Sequence, residues 1–102
     1  MIEQIIAELS SRGRVFEPYF FRTSNGSEID LVLDFGAERW AIEVKLTASP
    51  SPADMHRLET SAAMIKATRR FLVSQTRRSS GDAHRGSCNL AGIIERLREE
   101  VG

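Results

Sequence analysis

Asp30, Glu43 and Lys45 are the residues of this chain whose types and spacing could do chemistry. Glu43 and Lys45 stand two apart, so on a strand they share one face. Whether Asp30 joins them depends on the segment Asp34-Phe35-Gly36-Ala37-Glu38-Arg39. A two-residue Gly36-Ala37 loop is a type II′ turn, with Gly at the first central position. It pairs Phe35 with Glu38, which sets Asp30 opposite Glu43 and Glu28 opposite Lys45. Opposed Cβ atoms on one face lie roughly 5 Å apart. Two facing carboxylates repel, and a proton, a cation or a metal must offset the repulsion. Hard oxygen ligands of this kind suit Mg²⁺ or Mn²⁺. A lysine beside a bound water orients it or stabilises developing negative charge. The same residues also fit a plain cross-strand salt-bridge ladder on a wet sheet face.

The strands that position these residues are legible. Glu28-Ile29-Asp30-Leu31-Val32-Leu33 alternates and then turns apolar, and Trp40 to Leu46 alternates again. Before them, Ile2, Ile5, Ile6 and Leu9 mark a helical face closed by Gly13 at the C′ position. Arg14 to Arg22 reads as a first strand, on a sheet edge or bulged because Pro18 lacks a donor. Thr23-Ser24-Asn25-Gly26 is a turn. Beyond Lys45 the chain breaks at Thr47-Ala48-Ser49-Pro50-Ser51-Pro52. Ser51 as N-cap and Pro52 at N1 start a second helix, running to about Ala67 with Met55, Leu58, Ala62 and Ile65 as its apolar stripe. Phe71-Leu72-Val73-Ser74 reads as a buried parallel strand, so the order strand, helix, strand implies a right-handed crossover. Gln75 to Asp82 is a polar loop, Gly86 to Leu90 a short last strand, and Ile93, Ile94, Leu97 and Val101 a closing helix from about Leu90.

Length and composition bound the function. The 102 residues suffice for one domain with one modest core, so residues 1–102 are read as a single domain. No apolar run approaches the roughly 20 residues a membrane span needs, so no membrane partner is expected. No basic n-region precedes the first helix, so no signal peptide is expected. The single Cys88 has no internal partner and fits a reducing cytoplasm. Net charge is zero, but its distribution is uneven: residues 1–45 hold five basic and eight acidic side chains, and residues 57–85 seven basic and two acidic. An acidic site flanked by a basic half suits a metal-dependent enzyme acting on a polyanion, and equally an ordinary solvated surface. Arg22 is either a phosphate contact or an ion-pair partner. Arg77 and Arg78 either bind phosphates or belong to a solvated loop.

Asp, then strand-turn-strand, then Glu-x-Lys resembles the signature of the PD-(D/E)XK nuclease superfamily, here as Asp30, Glu43 and Lys45. More narrowly, Tyr19-Phe20-Phe21-Arg22-Thr23-Ser24-Asn25-Gly26-Ser27-Glu28-Ile29-Asp30-Leu31-Val32-Leu33 looks like the DUF4143 domain, a resemblance that extends to Leu46. That domain usually lies at the C-terminus of bacterial and archaeal P-loop ATPases and is similar in core to archaeal Holliday junction resolvases. The resemblance implies a restriction-endonuclease-like αβββαβ core: an α/β domain with a mixed sheet of four or five strands flanked by helices. The resemblance implies the core and leaves cleavage open. Related nucleases carry a glutamate about ten residues before the glycine that ends the first helix. Glu3 matches that place better than Glu8, which implies a third metal ligand; otherwise Glu3 is a first-turn acid facing the helix dipole. No G-x-x-x-x-G-K-[ST] loop occurs, so the chain is either stand-alone or a piece of a longer ATPase.

The expected function is a metal-dependent, nuclease-like domain. Asp30 and Glu43 hold Mg²⁺ or Mn²⁺ with help from Glu3 or the Val44 carbonyl, Lys45 serves the attacking water, and Arg22, Arg77 and Arg78 meet nucleic acid, DNA above all. A homodimer is in keeping with resolvase-like relatives. The rival is a catalytically silent module that docks or regulates a P-loop ATPase.

Overall fold

The computed structural model describes residues 1–101. The chain runs α1 (Ile2–Ser11), β1 (Glu17–Arg22), β2 (Glu28–Asp34), β3 (Arg39–Val44), α2 (Pro52–Met64), β4 (Arg69–Val73), β5 (Ser80–Gly81), β6 (Arg85–Cys88) and α3 (Leu90–Glu100). One mixed sheet orders these strands β1-β2-β3-β4-β6-β5. β1, β2 and β3 are antiparallel; β3, β4 and β6 are parallel; β5 closes the far edge antiparallel to β6. The sheet has six strands rather than four or five. The added one is β5, two residues inside a segment whose polar composition reads as loop.

Two apolar layers sandwich the sheet. Ile5 and Leu9 of α1 and Ile93 and Leu97 of α3 pack on Leu31, Leu33, Trp40, Ile42, Phe71 and Val73. Leu58 and Ala62 of α2 pack on Ile29, Val32, Ala41 and Leu72. Alternate residues of β3 and β4 thus serve opposite faces, as the strand period requires.

Gly13, at φ 70°, takes the C′ place after α1, and the Gly13 and Arg14 N–H groups donate to Ser10 and Leu9 carbonyls. That is the paired bonding of a Schellman ending. α2 starts as its sequence implies, with the Ser51 side chain and Asp54 forming a reciprocal capping box and Pro52 at the first helical position. It ends at Met64, before Ala67, because Lys66 turns left-handed at φ 55°. Lys66 and Ala67 donate to Ala63 and Ala62 carbonyls, the same ending without a glycine to announce it.

Two features of the hairpin end matter for the site. The Phe35 N–H donates to the Glu38 carbonyl at 2.9 Å, and Gly36 takes φ 90°. Ala37 has no positive φ, as a type II′ turn requires. At the same end, Arg69 is a nearly buried clamp, 8% exposed. It bonds Glu38 at 3.1 Å, Glu100 at 3.2 Å and the Ala83 carbonyl at 2.8 Å, and lies over the Trp40 ring at 5.2 Å. One guanidinium thereby ties β4 to the hairpin, to α3 and to the loop before β6. Replacing Arg69 with Met should destabilise the fold by about 2–3 kcal/mol, below the usual range for a broken buried pair because both carboxylates are one-third exposed. Lys should recover little of it, since one ammonium cannot match the forked geometry. Urea unfolding of the three proteins tests this, and a loss under ~0.5 kcal/mol would refute the clamp.

Candidate functional site

β2 and β3 pair as Asp34–Arg39, Leu33–Trp40, Val32–Ala41 and Leu31–Ile42. This is the register expected from the Gly36-Ala37 turn, and it brings Asp30 opposite Glu43. At that point the ladder opens. Val44 N–H donates to Asp30 Oδ2 at 2.9 Å, and Asp30 N–H donates to Glu43 Oε1 at 3.2 Å. Each carboxylate thus binds the backbone of the other strand. Meanwhile Lys45 N–H continues to β4, donating to the Val73 carbonyl at 2.8 Å. β3 ends at Val44 rather than running to Leu46, but it stays tied to β4 beyond the point where β2 leaves it.

The reason β2 leaves is a bulge. Tyr19 pairs with Val32 and Phe21 with Ile29, so three steps on β2 match two on β1. The extra residue falls at Asp30–Leu31. Ile29 and Val32 accordingly share the α2 layer, which strict alternation forbids. A bulge re-aims the side chain it carries, and here the Asp30 carboxylate reaches β3. β1 is an edge strand, as Pro18 implied, but the irregularity lies in its partner.

Crowding sets the electrostatics. Burial, and then hydrogen bonding and repulsion from the Asp30 carboxylate, push the Glu43 carboxyl up to about 8. Lys45 offsets this only slightly. Its ammonium lies 4.0 Å from Asp54 Oδ1 on α2. Asp54 is charged at neutral pH, because the Ser51 backbone N–H holds its carboxyl below the usual range. Glu43 and Lys45 line a cleft of about 270 Å³ together with Asn25, Glu28, His56, Arg57 and Ser61.

The pair fits a hard divalent cation. Both groups present oxygen, and burial leaves Glu43 short of solvation for its charge. Two carboxylates suffice for an ion that keeps several waters and takes the rest of its shell from a substrate phosphate. Glu3 does not join them. Its helix packs through Ile5 and Leu9 on the face away from α2, and its side chain is 90% exposed beside the amino terminus, 3.6 Å away. Among the described residues no three His, Cys, Asp or Glu side chains converge closely enough to hold a metal.

Arg22 lies 3.6 Å from Glu28 and lines a depression with Phe20 and Asp30. Arg77 and Arg78 lie on the exposed segment after β4. Arg78 lines a separate groove with Pro52, Met55 and Arg85, outside the cleft of Glu43 and Lys45. Four of the seven cations in residues 57–85 meet carboxylates: Arg57 with Asp54, Arg69 with Glu38 and Glu100, and Arg70 and Arg85 with Glu59. Lys66, Arg77 and Arg78 have no ion-pair partner among the described residues. The basic excess of the sequence is therefore largely internal.

Sequence reasoning missed Asp54 as the partner of Lys45, and missed the α2 wall. Signals for both exist. Ser51-Pro52-Ala53-Asp54 has capping-box spacing, and His56/Thr60 and Arg57/Ser61 are polar pairs four apart on one helix side.

A family model described as "Domain of unknown function (DUF4143)" matches residues 1–90, so the chain belongs to that family. Neither curated proteins nor solved structures give a match. No helix among the described residues is long and apolar enough to cross a membrane.

A carboxyl raised by folding binds its proton more tightly in the native state. Its contribution is complete below the unfolded value of 4.5 and is lost as pH rises through about 8. Glu43→Gln keeps the Asp30 N–H acceptor and removes the titration. In chelator it should stabilise the protein at pH 9 by about 1–2 kcal/mol, discounted because the site is half-buried, and hardly at all at pH 4. Equal effects at both pH values would contradict the pairing.

Proposed function

We propose that this DUF4143 chain is a metal-dependent phosphodiesterase domain of the PD-(D/E)XK kind, acting on nucleic acid, DNA above all. One observation carries the reading. The Asp30 and Glu43 carboxylates meet where the β2–β3 ladder opens, with Lys45 in the cleft that Glu43 lines. The element order α1, β1, β2, β3, α2, β4 also supports it, being the αβββαβ order of restriction-endonuclease-like cores.

In this reading Asp30 and Glu43 hold Mg²⁺ or Mn²⁺. The bound ion supplies Lewis-acid polarisation of a phosphoryl oxygen and a water of lowered pKa. Below about pH 8 the pair retains a proton, which ion binding must displace. Lys45, steered by Asp54, orients the attacking water or stabilises the negative charge that develops on the phosphate. Val44, whose N–H bonds Asp30, keeps that carboxylate turned toward β3.

A second reading has its own support. Because most of the basic excess is consumed in internal ion pairs, long-range attraction for a polyanion is weak. That favours a silent module that docks or regulates a P-loop ATPase.

Cleavage of single-stranded, duplex and branched DNA and of RNA, with Mg²⁺ or Mn²⁺, decides between them. Activity should vanish in chelator. Asp30→Asn and Glu43→Gln should each abolish it, because each exchanges a charged ligand for a neutral one of similar shape. Lys45→Ala should abolish cleavage yet leave metal affinity nearly unchanged. Wild-type inactivity on every substrate favours the docking module; metal-dependent cleavage that survives both carboxylate changes would falsify the site.

A further inference from the structure

Phe20 is 68% exposed, although it belongs to β1, the strand that pairs with the β2 strand carrying Asp30. Its neighbour Phe21 packs in the α2 layer, whereas Phe20 joins neither apolar cluster. An exposed aromatic on an edge strand adds nothing to the core and invites unwanted pairing, which edge strands ordinarily resist with charges and proline. Here Pro18 and Arg22 supply that protection, and Phe20 stands between them.

Phe20 has chemically apt surroundings. The Arg22 guanidinium lies 5.9 Å from its ring centroid. Arg22 is 70% exposed along its side chain, and its ion pair with Glu28 is loose, at 3.6 Å. Phe20, Phe21, Arg22, Glu28, Ile29 and Asp30 line one depression of about 290 Å³. Asp30 lines this depression and Glu28 lines both it and the cleft of Glu43 and Lys45, so the two hollows meet at β2, with Phe20, which alternates with Phe21, on the sheet face away from α2.

We propose that Phe20 and Arg22 form a stacking platform for an unpaired base next to the Asp30–Glu43 site, making single-stranded or locally unpaired nucleic acid the substrate class. The proposal rests on the reading of that site as one for nucleic-acid phosphodiesters. An aromatic ring on a strand edge reaches a base face only where the base is splayed out, because duplex bases cover one another's faces. The ring and the guanidinium plane both stack on any base without reading its identity. Glu28 and Asp30 in the same depression repel a bare phosphate there and suit a neutral base. Arg22, whose pairing with Glu28 is loose, exchanges that contact for the phosphate at the rim.

The test measures binding apart from cleavage. Fluorescence anisotropy would monitor a labelled single-stranded DNA oligonucleotide, and the duplex of the same sequence, in Ca²⁺. Wild type should prefer the single strand. Phe20→Ala should weaken single-strand binding about tenfold, Phe20→Trp should keep it, and duplex binding should not change. Thermal melts of the variants should match wild type, because the ring is outside the core. A 2-aminopurine base in the single strand should change its emission on binding to wild type and not on binding to Phe20→Ala. Equal single-strand affinity for wild type and Phe20→Ala overturns the platform, as does binding without preference for the single strand or no binding at all. Light scattering that finds a dimer converted to monomer by Phe20→Ala, with single-strand affinity unchanged, overturns it in favour of a contact between copies. Stacking with no Mg²⁺-dependent cleavage keeps the platform and removes the nuclease reading. Cleavage lost in Asp30→Asn but untouched in Phe20→Ala does the reverse.

Discussion

The register of one hairpin governs what this domain can do. Gly36 adopts a positive φ, Asp34 Oδ1 accepts its N–H at 2.8 Å, and the Phe35 N–H reaches Glu38. From that turn the pairing proceeds without slip to Leu31–Ile42. A shift of one residue would send every side chain of a strand to the opposite face. Asp30 and Glu43 would then part, and Val32 and Ala41 would leave the α2 layer. Core packing and carboxylate pairing therefore demand the same register, so the apolar layers stabilise an arrangement that is electrostatically unfavourable by itself.

The unfavourable charge is confined to one end of the hairpin and managed locally. Hydrogen bonds from Val44 and Asp30 backbone groups occupy one oxygen of each carboxylate. Asp54, held by its helix cap, draws Lys45 toward α2. At the opposite end the arrangement is inverted: Arg69, a cation, is the nearly buried group, and two carboxylates surround it. The clamp end is paired and closed. The carboxylate end is open to a cleft and holds two carboxyl groups together that share a proton below about pH 8, a perturbation characteristic of functional sites.

Much of this was readable from the chain, residue by residue. Gly13, Gly36, Ser51 and Pro52 are local signals whose meaning depends only on backbone sterics and end-of-helix hydrogen bonding, and each acts as its type implies. The end of α2 was not readable, because Lys66 takes a left-handed conformation that glycine normally signals. A lysine has no intrinsic preference for that conformation, so nothing in its type marks the stop. β5 was not readable either: two residues carry no periodicity, and Ser80–Gly81 is a strand only because β6 lies beside it.

The strands of the β2–β3 hairpin, their register and hence the facing of Asp30 and Glu43 were legible along the chain, because turn geometry and a period of two are local properties. Tertiary structure decided the rest. It placed the bulge in β2 rather than in the proline-bearing β1, left Glu3 on the far layer, gave Lys45 to Asp54, and absorbed most of the basic excess in ion pairs. Each of these depends on contacts between segments distant along the chain, and charge counted along a sequence does not reveal which partner it will meet in space.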